Sequence, residues 1–547
     1  MTLQEDGSQA TELDALFWAA PPEADRRRLE RIAALAANGP GGPRRAAPHH
    51  DRAVLAWMEQ AAERPVNAGY ALEALAWAAV GPQLAPRLRP ATTEAMLEHL
   101  QRDVAEAATL TIASDPLVHQ LLAGELAMRL AGLCPQPREC RRLAAAGAQA
   151  VLAGFRELLD GRGLPQARWL SLLQPLLACW TRCRALAAAL PGGRWPAAAT
   201  RQFGRLVQAA LRLARPDGSM VFSQDTTGGP DAALWCAAVR LADTPDADRL
   251  ARLALPRLFA QARRRPMKQR PAPLHNEAAA LATVRSDAGP QAVRLTTAYS
   301  GPAVQIELAC GEQLLFSGVW DLALSLDGVA AVPCGDWDEL CWVSDDDADY
   351  LELELDFRGG LRVQRHLVFA HADRCVLLAD AVLGAQSAAI EYRASWPLAA
   401  GVRFMPERET CEGHLAIASQ LGRALPLALP EWRAAGGGQL LAGKRQLELR
   451  QSAVGRCLFA PLWLDLDRRR NGRPVTWRQL TVGESLAAVP PEVAAGYRVA
   501  VGRRQWLVYR ALAHKGNRTL LGHNLSTEFL VARFSQDGEV APLIEIE

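Results

Sequence analysis

One stretch of the sequence combines aromatic rings with carboxylates, two kinds of group that together recognise sugars. The stretch is Asp336–Tyr350, DWDELCWVSDDDADY, and its aromatic residues are Trp337, Trp342 and Tyr350. Aromatic faces stack on the C–H faces of a sugar ring, and carboxylates accept hydrogen bonds from sugar hydroxyl groups. The stretch therefore predicts a glycan-binding surface that includes these three aromatic residues.

The same stretch carries four aspartates whose oxygens are of the type that binds Ca²⁺, Asp345, Asp346, Asp347 and Asp349. The run lacks the glycine turn and the terminal glutamate of a helix-loop-helix calcium loop. We therefore interpret it as a solvated acidic loop, and we predict neither a bound metal nor a cofactor for this chain.

A second candidate segment is Glu391–Trp396, EYRASW, whose alternation gives it two different faces. Tyr392 and Trp396 share the face predicted to be core, whereas Arg393 lies on the opposite face, which is a candidate functional face. Arg393 and Trp396 are both kept as candidate site residues, the first for its charge and the second for its ring.

A polar loop in the first half of the chain, Arg215–Asp225 (RPDGSMVFSQD), separates two helical patterns. If this loop lined the mouth of a helical domain, Asp217 and Asp225 would be ligand-binding residues. Asp217-Gly218 is equally a common turn dipeptide in which the aspartate side chain caps its own backbone, so both interpretations stay open.

Three other reactive side chains are predicted to be structural. His119 follows an aspartate typical of a helix N-cap and lies among apolar residues, which favours a packed histidine. Cys179 and Cys183 are four residues apart in a helical pattern. No second Cys/His pair of matching spacing accompanies them, so packing is favoured over a metal site.

The elements that must position these residues change in kind near Arg263–Asn276. Before this point apolar residues recur at helical spacing, with breaks at points such as Gly81-Pro82; after it they alternate. We predict an N-terminal α/α toroid-like helical domain over 49–265 and a C-terminal antiparallel β-sandwich over 266–547, preceded by an extension over 1–48. A chain of 547 residues is long enough to build both cores.

The most distinct strand signal is a hairpin in the second half. Tyr350–Phe357 alternates strictly, and a Gly-Gly turn leads into Leu361–Phe369. Further segments, including CVLLADAV, AIEYRASW and GYRVAVGRRQWLVYRAL, follow without intervening helices. More than ten antiparallel strands of this kind indicate a large sandwich.

Charge and composition exclude some classes of partner. The formal net charge is +2, and the arginines are interspersed with acidic residues, so we expect no nucleic acid partner. The N-terminus lacks the basic start and apolar run of an export signal, and no apolar stretch is long enough for a membrane span. With eleven scattered cysteines, an odd number, these features predict a cytoplasmic protein that does not bind membranes.

The order of domains, together with three segments of the second half, resembles the heparinase II/III-like polysaccharide lyases. The segments are Asn276–Ser286, Val304–Gly318 and Leu367–Val382. The resemblance implies β-elimination next to a uronic acid, in which one group neutralises the sugar carboxylate, a Tyr or His removes a proton, and an acid assists the leaving oxygen.

The sequence departs from that family's pattern where the resemblance places catalytic residues. The family has a His-rich loop before the strand matched by Val304–Leu308, whereas this chain has Tyr299–Ala303, YSGPA. Near Asp217–Thr226, where the family has a Tyr and amide or His residues, this chain has Phe222 and Gln224. Tyr299 is the nearby phenol, and a pKa near 10 would need help from Arg or Lys for it to act as a base.

These observations support three alternative functions. The first is a catalytically diverged protein that binds a glycan or another cell-envelope component. The second is an active polysaccharide lyase in which Tyr299, Arg393, Gln224 and His275 have taken over the chemistry. The third is an intracellular scaffold that binds a protein partner through its helices.

Overall fold

The structure is a computed structural model of the 547-residue chain. It describes residues 13–20, 24–37, 47–133, 137–190, 195–223, 232–259, 270–433 and 437–547. The chain divides into two compact units, Met1–Arg264 and Arg265–Glu547. The segment 1–48 contains a helix, Arg26–Ala37, and its separate status as an extension stays a prediction.

The first unit is built from α-helices. Over the described part of this unit there are eleven: α1 Arg26–Ala37, α2 Ala47–Ala62, α3 Ala68–Leu84, α4 Pro90–Ala107, α5 Pro116–His119, α6 Ala127–Leu133, α7 Pro137–Leu158, α8 Leu173–Ala189, α9 Ala197–Arg212, α10 Ala232–Ala242 and α11 Pro245–Ala254. No helix in the described ranges combines the length and the apolar character needed to cross a bilayer.

Side-chain caps mark where several of these helices begin. The Asn67 side chain accepts a hydrogen bond from Tyr70 N at the start of α3, and the Asp115 side chain accepts one from Val118 N at the start of α5. The predicted break at Gly81-Pro82 is wrong, because α3 continues through Pro82 to Leu84. Nearly every residue of α3 is buried, and this packing outweighs the backbone hydrogen bond that a proline removes.

A π-helical segment, Gln120–Leu126, joins α5 to α6 without a break in the helix. Its first residue, Gln120, is fully buried and accepts a hydrogen bond from Trp180 Nε1 of α8 at 2.8 Å. The Gln120 amide also donates to Ala150 O of α7 at 3.1 Å. This segment therefore ties three helices together at the centre of the unit.

The contact between Gln120 and α7 leads to a stability prediction. A Cβ atom at Gly154 would lie 2.5 Å from the Gln120 side chain, so Gly154→Ala forces a buried, hydrogen-bonded group to move. We expect overpacking to cost about 1–3 kcal/mol, more than the gain of about 1 kcal/mol in helix propensity. Hydrogen exchange of the helical unit measures the loss of stability. Gly161→Ala is the matched control, because nothing lies within 4 Å of its added methyl group; equal effects of the two substitutions would contradict the packing argument.

The second unit consists of antiparallel strands. In the described residues of this unit they are β1 Leu274–Asn276, β2 Leu281–Arg285, β3 Val293–Ala298, β4 Val304–Cys310, β5 Gln313–Leu326, β6 Val329–Ala330, β7 Asp338–Ser344, β8 Ala348–Phe357, β9 Leu361–Ala370, β10 Cys375–Pro397, β11 Arg403–Pro406, β12 Gly413–Ala416, β13 Gln420–Pro426, β14 Gly438–Ala442, β15 Gln446–Asp465, β16 Val475–Leu480, β17 Val482–Glu484, β18 Ala487–Ala488, β19 Ala494–Val501, β20 Arg504–Ala511, β21 Arg518–Leu520, β22 His523–Leu525, β23 Phe529–Phe534 and β24 Val540–Ile546.

Three sheets organise these strands. The largest runs β1-β2-β3-β4-β5-β10-β15-β13-β12-β11, and a branch β7-β8-β9 also joins it at β10. The second sheet has the order β16-β19-β20-β23-β24, and the third has the order β18-β17-β21-β22. Helices followed by an antiparallel sandwich confirm the predicted fold class, an α/α toroid-like domain followed by a β-sandwich.

The long strand β10 explains how the largest sheet divides. Its first half pairs with β9, its second half pairs with β5, and β15 runs along its other edge. The segments CVLLADAV and AIEYRASW, predicted as two separate strands, are the two halves of this strand, and a bulge between Leu383 and Ala388 separates them. The predicted hairpin is confirmed, with Phe357 opposite Leu361 in the pairing of β8 with β9.

Candidate functional site

Three side chains of the β unit that could carry out acid–base chemistry meet at one place. His275 Nε2 donates to the Glu339 carboxylate, at 3.0 Å from Oε1 and 2.9 Å from Oε2. The Tyr299 hydroxyl donates to Oε2 of the same carboxylate. Glu339 thus joins Tyr299 and His275, two of the predicted catalytic residues, in one hydrogen-bonded cluster.

The strands place these three residues together although they are far apart in the sequence. His275 lies on β1, which pairs with β2, and Tyr299 follows the last residue of β3, the next strand in the sheet. Glu339 lies on β7, in the branch that reaches the sheet through β8 and β9. The Trp337 backbone N–H donates to Gly301 O, and its indole N–H donates to Pro302 O. These bonds anchor the start of β7 to the turn after Tyr299.

An aromatic residue completes the cluster. The Trp342 ring stacks on His275, with ring centroids 4.4 Å apart and an angle of 4° between the planes. Trp342 also lines a mostly apolar cavity of about 20 Å³, together with Val284 and Leu295. This volume accommodates about one water molecule, so a sugar would have to approach from the solvent side of the cluster.

The electrostatics of the cluster keep the phenol protonated and the carboxylate charged. Burial raises the pKa of Tyr299, and the hydrogen bond to Glu339 and the negative charge of that carboxylate raise it further. Burial alone would raise the pKa of Glu339, but hydrogen bonds from His275 and Tyr299 outweigh it, so the pKa of Glu339 is lowered. Among the residues that the structure describes, no Arg or Lys side chain donates to Tyr299 or Glu339.

Arg393 lies apart from this cluster. It is on β10, where its Cα is opposite Ala323 of β5 and Arg450 of β15. Because β10 is three strands across the sheet from the end of β3, its backbone is at least about 14 Å from Tyr299. Its half-exposed guanidinium is 3.9 Å from Glu448. The predicted partners Gln224 and Asp225 lie outside the described residues.

Three of the predicted aromatic ligands, Trp337, Tyr350 and Trp396, are core residues instead. Tyr350 and Trp396 are fully buried, and Trp337 is 6% exposed. The Trp337 ring lies over the guanidinium of Arg365, and the Tyr350 hydroxyl donates to Glu352. These rings present no face to a sugar, so Trp342 is the aromatic residue of this group that remains at the surface.

The acidic loop is held by cations rather than left solvated. Asp349 is buried and accepts hydrogen bonds from Arg270 at 2.9 Å and from Ser344. Asp347 accepts one from Arg533 at 2.9 Å. These contacts occupy carboxylate oxygens that a Ca²⁺ ion would need, which corrects the interpretation of a purely solvated loop.

In the helical unit, the Asp217 side chain caps a turn, which is one of the two interpretations left open by the sequence. Its carboxylate accepts hydrogen bonds from Ser219 N at 3.0 Å and from Ser219 Oγ at 2.7 Å. His119 is buried next to the Gln120 amide, and burial lowers its pKa, as expected for a packed histidine.

In the described part of the chain, one group of side chains is close enough together to share a metal ion. It consists of Glu125, Cys179 and Cys183, whose potential ligand atoms lie within 4.8 Å of one another. The Glu125 carboxylate is already bound by two guanidinium groups, from Arg129 and Arg182. Burial raises the pKa of the Cys179 thiol well above its usual value. A thiol that stays protonated, beside two fixed positive charges, does not suit a metal ion.

Residue type and spacing did not single out Glu339, which joins the other residues of the cluster. It lies within the acidic and aromatic stretch Asp336–Tyr350, on β7, where a bulge between Glu339 and Cys341 interrupts the alternation. Glu339 is therefore opposite Leu353 and Trp342 is opposite Leu351, so Glu339 shares a face with Trp342. Its role depends on partners 40 and 64 residues away in the sequence, so only strand pairing reveals it.

Known structures share the architecture of this chain. A heparinase III structure aligns with a TM-score of 0.63 and 11% identity, over 93% of this chain and 85% of that chain. A heparan sulfate lyase from Pedobacter heparinus aligns with a TM-score of 0.58 and 13% identity, over 89% and 82%. No protein-family model and no curated protein sequence matches significantly. At these identities the comparisons show that the chain has the fold of these polysaccharide lyases, and the fold alone.

Proposed function

We propose that this protein is a catalytically diverged member of the heparinase II/III-like group that binds a glycan at the cluster of Tyr299, Glu339, His275 and Trp342. The protonated state of Tyr299 carries the proposal. A lyase that uses a phenol as its base needs a phenolate, which a nearby cation stabilises. Here the nearest charge is a carboxylate, which favours the neutral phenol.

The cluster offers what sugar binding requires. Glu339 supplies a carboxylate that accepts hydrogen bonds, and its side chain is 9% exposed beside a more open His275. Trp342 adds a partly exposed ring whose orientation is held by stacking on His275. An aromatic ring next to fixed hydrogen-bonding groups suits the apolar face and the hydroxyl groups of one sugar unit.

An active lyase is the second candidate, and one observation favours it. The hydrogen bond from His275 Nε2 to Glu339 orients an imidazole in the way that a carboxylate orients a general base. In that case His275 would remove the proton and Tyr299 would donate one to the leaving oxygen. A protonated Tyr299 fits the second of these roles, so the two candidates must be separated by measurement.

The discriminating experiment measures cleavage and binding in parallel. Purified protein is incubated with heparan sulfate, alginate and polygalacturonate oligosaccharides, and ultraviolet absorbance follows any unsaturated uronate product. We expect no product but measurable binding. Trp342→Ala is expected to weaken binding about tenfold, because stacking contributes roughly 1–1.5 kcal/mol. Isothermal titration calorimetry provides the dissociation constants.

Trp169→Ala, in the helical unit, removes a partly exposed indole elsewhere and serves as the control. Product formation that disappears in His275→Ala would establish the lyase instead. Equal binding by wild type and Trp342→Ala would show that the glycan does not bind at this cluster.

A further inference from the structure

A group of arginines collects on the second sheet of the β unit, away from the Tyr299 cluster. The segment 468–510 contains nine arginines and two glutamates, an excess of seven positive charges in a chain whose formal net charge is +2. It includes β16, β19 and β20, three neighbouring strands of one sheet. The even distribution of charge expected from the composition therefore does not hold for this segment.

Strand register places two of these arginines side by side. Arg478 of β16 is directly opposite Arg498 of β19. Their neighbours Trp477 and Val499 are buried, so alternation directs both arginines to the opposite face of the sheet, where Arg478 is exposed and Arg498 is half-buried. Like charges directly opposite each other on a sheet are destabilising. Two such residues facing solvent indicate a surface whose charge is used by a partner.

Two further arginines extend this group at the end of the strands. Arg503 lies in the turn between β19 and β20, and its neighbour Gly502 has a φ of 59°. The Arg473 side chain lies beside that turn, since a Cβ at Gly502 would be 3.7–3.9 Å from its carbons. We call Arg473, Arg478, Arg498 and Arg503 the arginine face.

The guanidinium groups of the arginine face are not neutralised within the protein. In the ranges that the structure describes, no carboxylate forms an ion pair with any of the four, in contrast to Arg470 nearby, which is bound to Asp465. Unpaired guanidinium groups at this spacing present donors for carboxylate or sulfate groups.

We propose that the arginine face binds a linear anionic polysaccharide, one with a carboxylate or sulfate on successive sugars. The aromatic residues of these strands are all buried, so the face has no platform on which nucleic acid bases could stack; they are Trp477, Tyr497, Trp506 and Tyr509. Polar side chains at the surface, Thr476 and Gln505, can hydrogen-bond hydroxyl groups between the charges. The choice of a glycan rests on the function proposed above, whereas the anion-binding character follows from the arginines.

The test compares two double variants that remove the same charge. Arg478→Gln/Arg498→Gln alters the arginine face, and Arg358→Gln/Arg403→Gln removes two exposed arginines elsewhere in the β unit. Binding of heparin and oligogalacturonate is measured at several salt concentrations, with uncharged dextran as the negative probe. We expect the first variant alone to bind at least tenfold more weakly. Its plot of log affinity against log salt should be shallower by about 1.5 units, the value for two lost ionic contacts.

Folding does not confound this test. Removing the opposed charges of Arg478 and Arg498 is expected to leave the midpoint of thermal unfolding unchanged or to raise it, and the single variant Arg478→Gln provides a second measurement. Unchanged binding by the double variant would overturn the proposal, and so would an equal loss in the control.

Two competing probes test the class of ligand. Stronger binding of a single-stranded oligonucleotide of matched charge, or of vesicles containing phosphatidylglycerol, would overturn the assignment to a glycan. Failure of the Tyr299 cluster is distinguishable, because Trp342→Ala leaves the salt dependence unchanged, whereas the arginine variants reduce it.

Discussion

Asp380→Ala is expected to destabilise the β unit by about 3–5 kcal/mol, because it leaves a buried guanidinium without its counter-charge. Asp380 of β10 lies directly opposite Arg365 of β9, and neither side chain is exposed to solvent. Arg365 donates to both carboxylate oxygens, at 2.8 and 3.1 Å, and Tyr392 donates to one of them at 2.8 Å. The substitution removes every one of these acceptors.

The aromatic surroundings of Arg365 cannot replace the lost carboxylate. Its Cζ lies 3.9 Å from the centroid of the Trp320 ring and 4.5 Å from that of Trp337. These rings attract a cation, but they leave the N–H groups that pointed at Asp380 without acceptors. The Arg365 side chain has no surface exposed to solvent that could replace these acceptors.

Hydrogen exchange measured by peptide mass spectrometry resolves this loss, because it reports the β unit separately from the helical unit. Arg393→Met is the control: it breaks a half-exposed pair with Glu448 and is expected to cost about 0–1 kcal/mol. The double variant Arg365→Met/Asp380→Leu is expected to be more stable than Asp380→Ala, since both charges are gone. A double variant less stable than the single one would contradict this explanation.

Glu125→Ala is expected to destabilise the helical unit by about 3–5 kcal/mol or more, because one buried carboxylate neutralises two arginines. Glu125 lies in the π-helical segment and is fully buried. Arg182 Nε lies 2.8 Å from Oε1, and Arg129 Nη2 lies 3.0 Å from the same oxygen. Alanine would remove the carboxylate that both guanidinium groups share in the core.

The same carboxylate makes the helical unit sensitive to acid. Burial alone would raise the pKa of Glu125, but Arg182 and Arg129 outweigh it, so the pKa in the folded state lies below the ordinary value of 4.5. A lowered folded-state pKa stabilises the fold above the unfolded-state pKa, and this stabilisation is lost as the pH falls. We therefore expect the wild-type helical unit to lose stability below about pH 4.5.

Hydrogen exchange and circular dichroism at neutral pH and at decreasing pH measure both effects. Glu30→Ala is the control, because the Arg26–Glu30 pair is exposed and its loss should change stability by no more than about 0.5 kcal/mol. If Glu125→Ala kept the full acid sensitivity of the wild type in this range, another group would have to be responsible.

Local patterns in the sequence predicted much of the fold. The hairpin of β8 and β9 followed from strict alternation on either side of a Gly-Gly turn, since both signals lie within one short segment. The division between helical and strand-forming halves followed from the period of the apolar residues. The continuation of α3 through Pro82 did not, because burial along the helix outweighed a local breaking signal.

The candidate site could be predicted only in part. Tyr299, His275 and Trp342 were selected by residue type and by position, and they lie together in the structure. Glu339, which connects them, was not selected, and Trp337 lies in the core. Alternation in the sequence indicates that the two faces of a strand differ, but which face lies in the core depends on the layer that packs against the strand.

The sequence by itself determined the kinds of element, their order along the chain and the pool of residues able to do chemistry, because each of these depends on neighbours a few positions apart. The tertiary structure alone decided which of those residues meet. Pairing of strands joined Glu339 to His275 and Tyr299, and register set Arg478 opposite Arg498. Such pairings depend on the packing of whole sheets, where a shift of one residue turns every side chain to the other face.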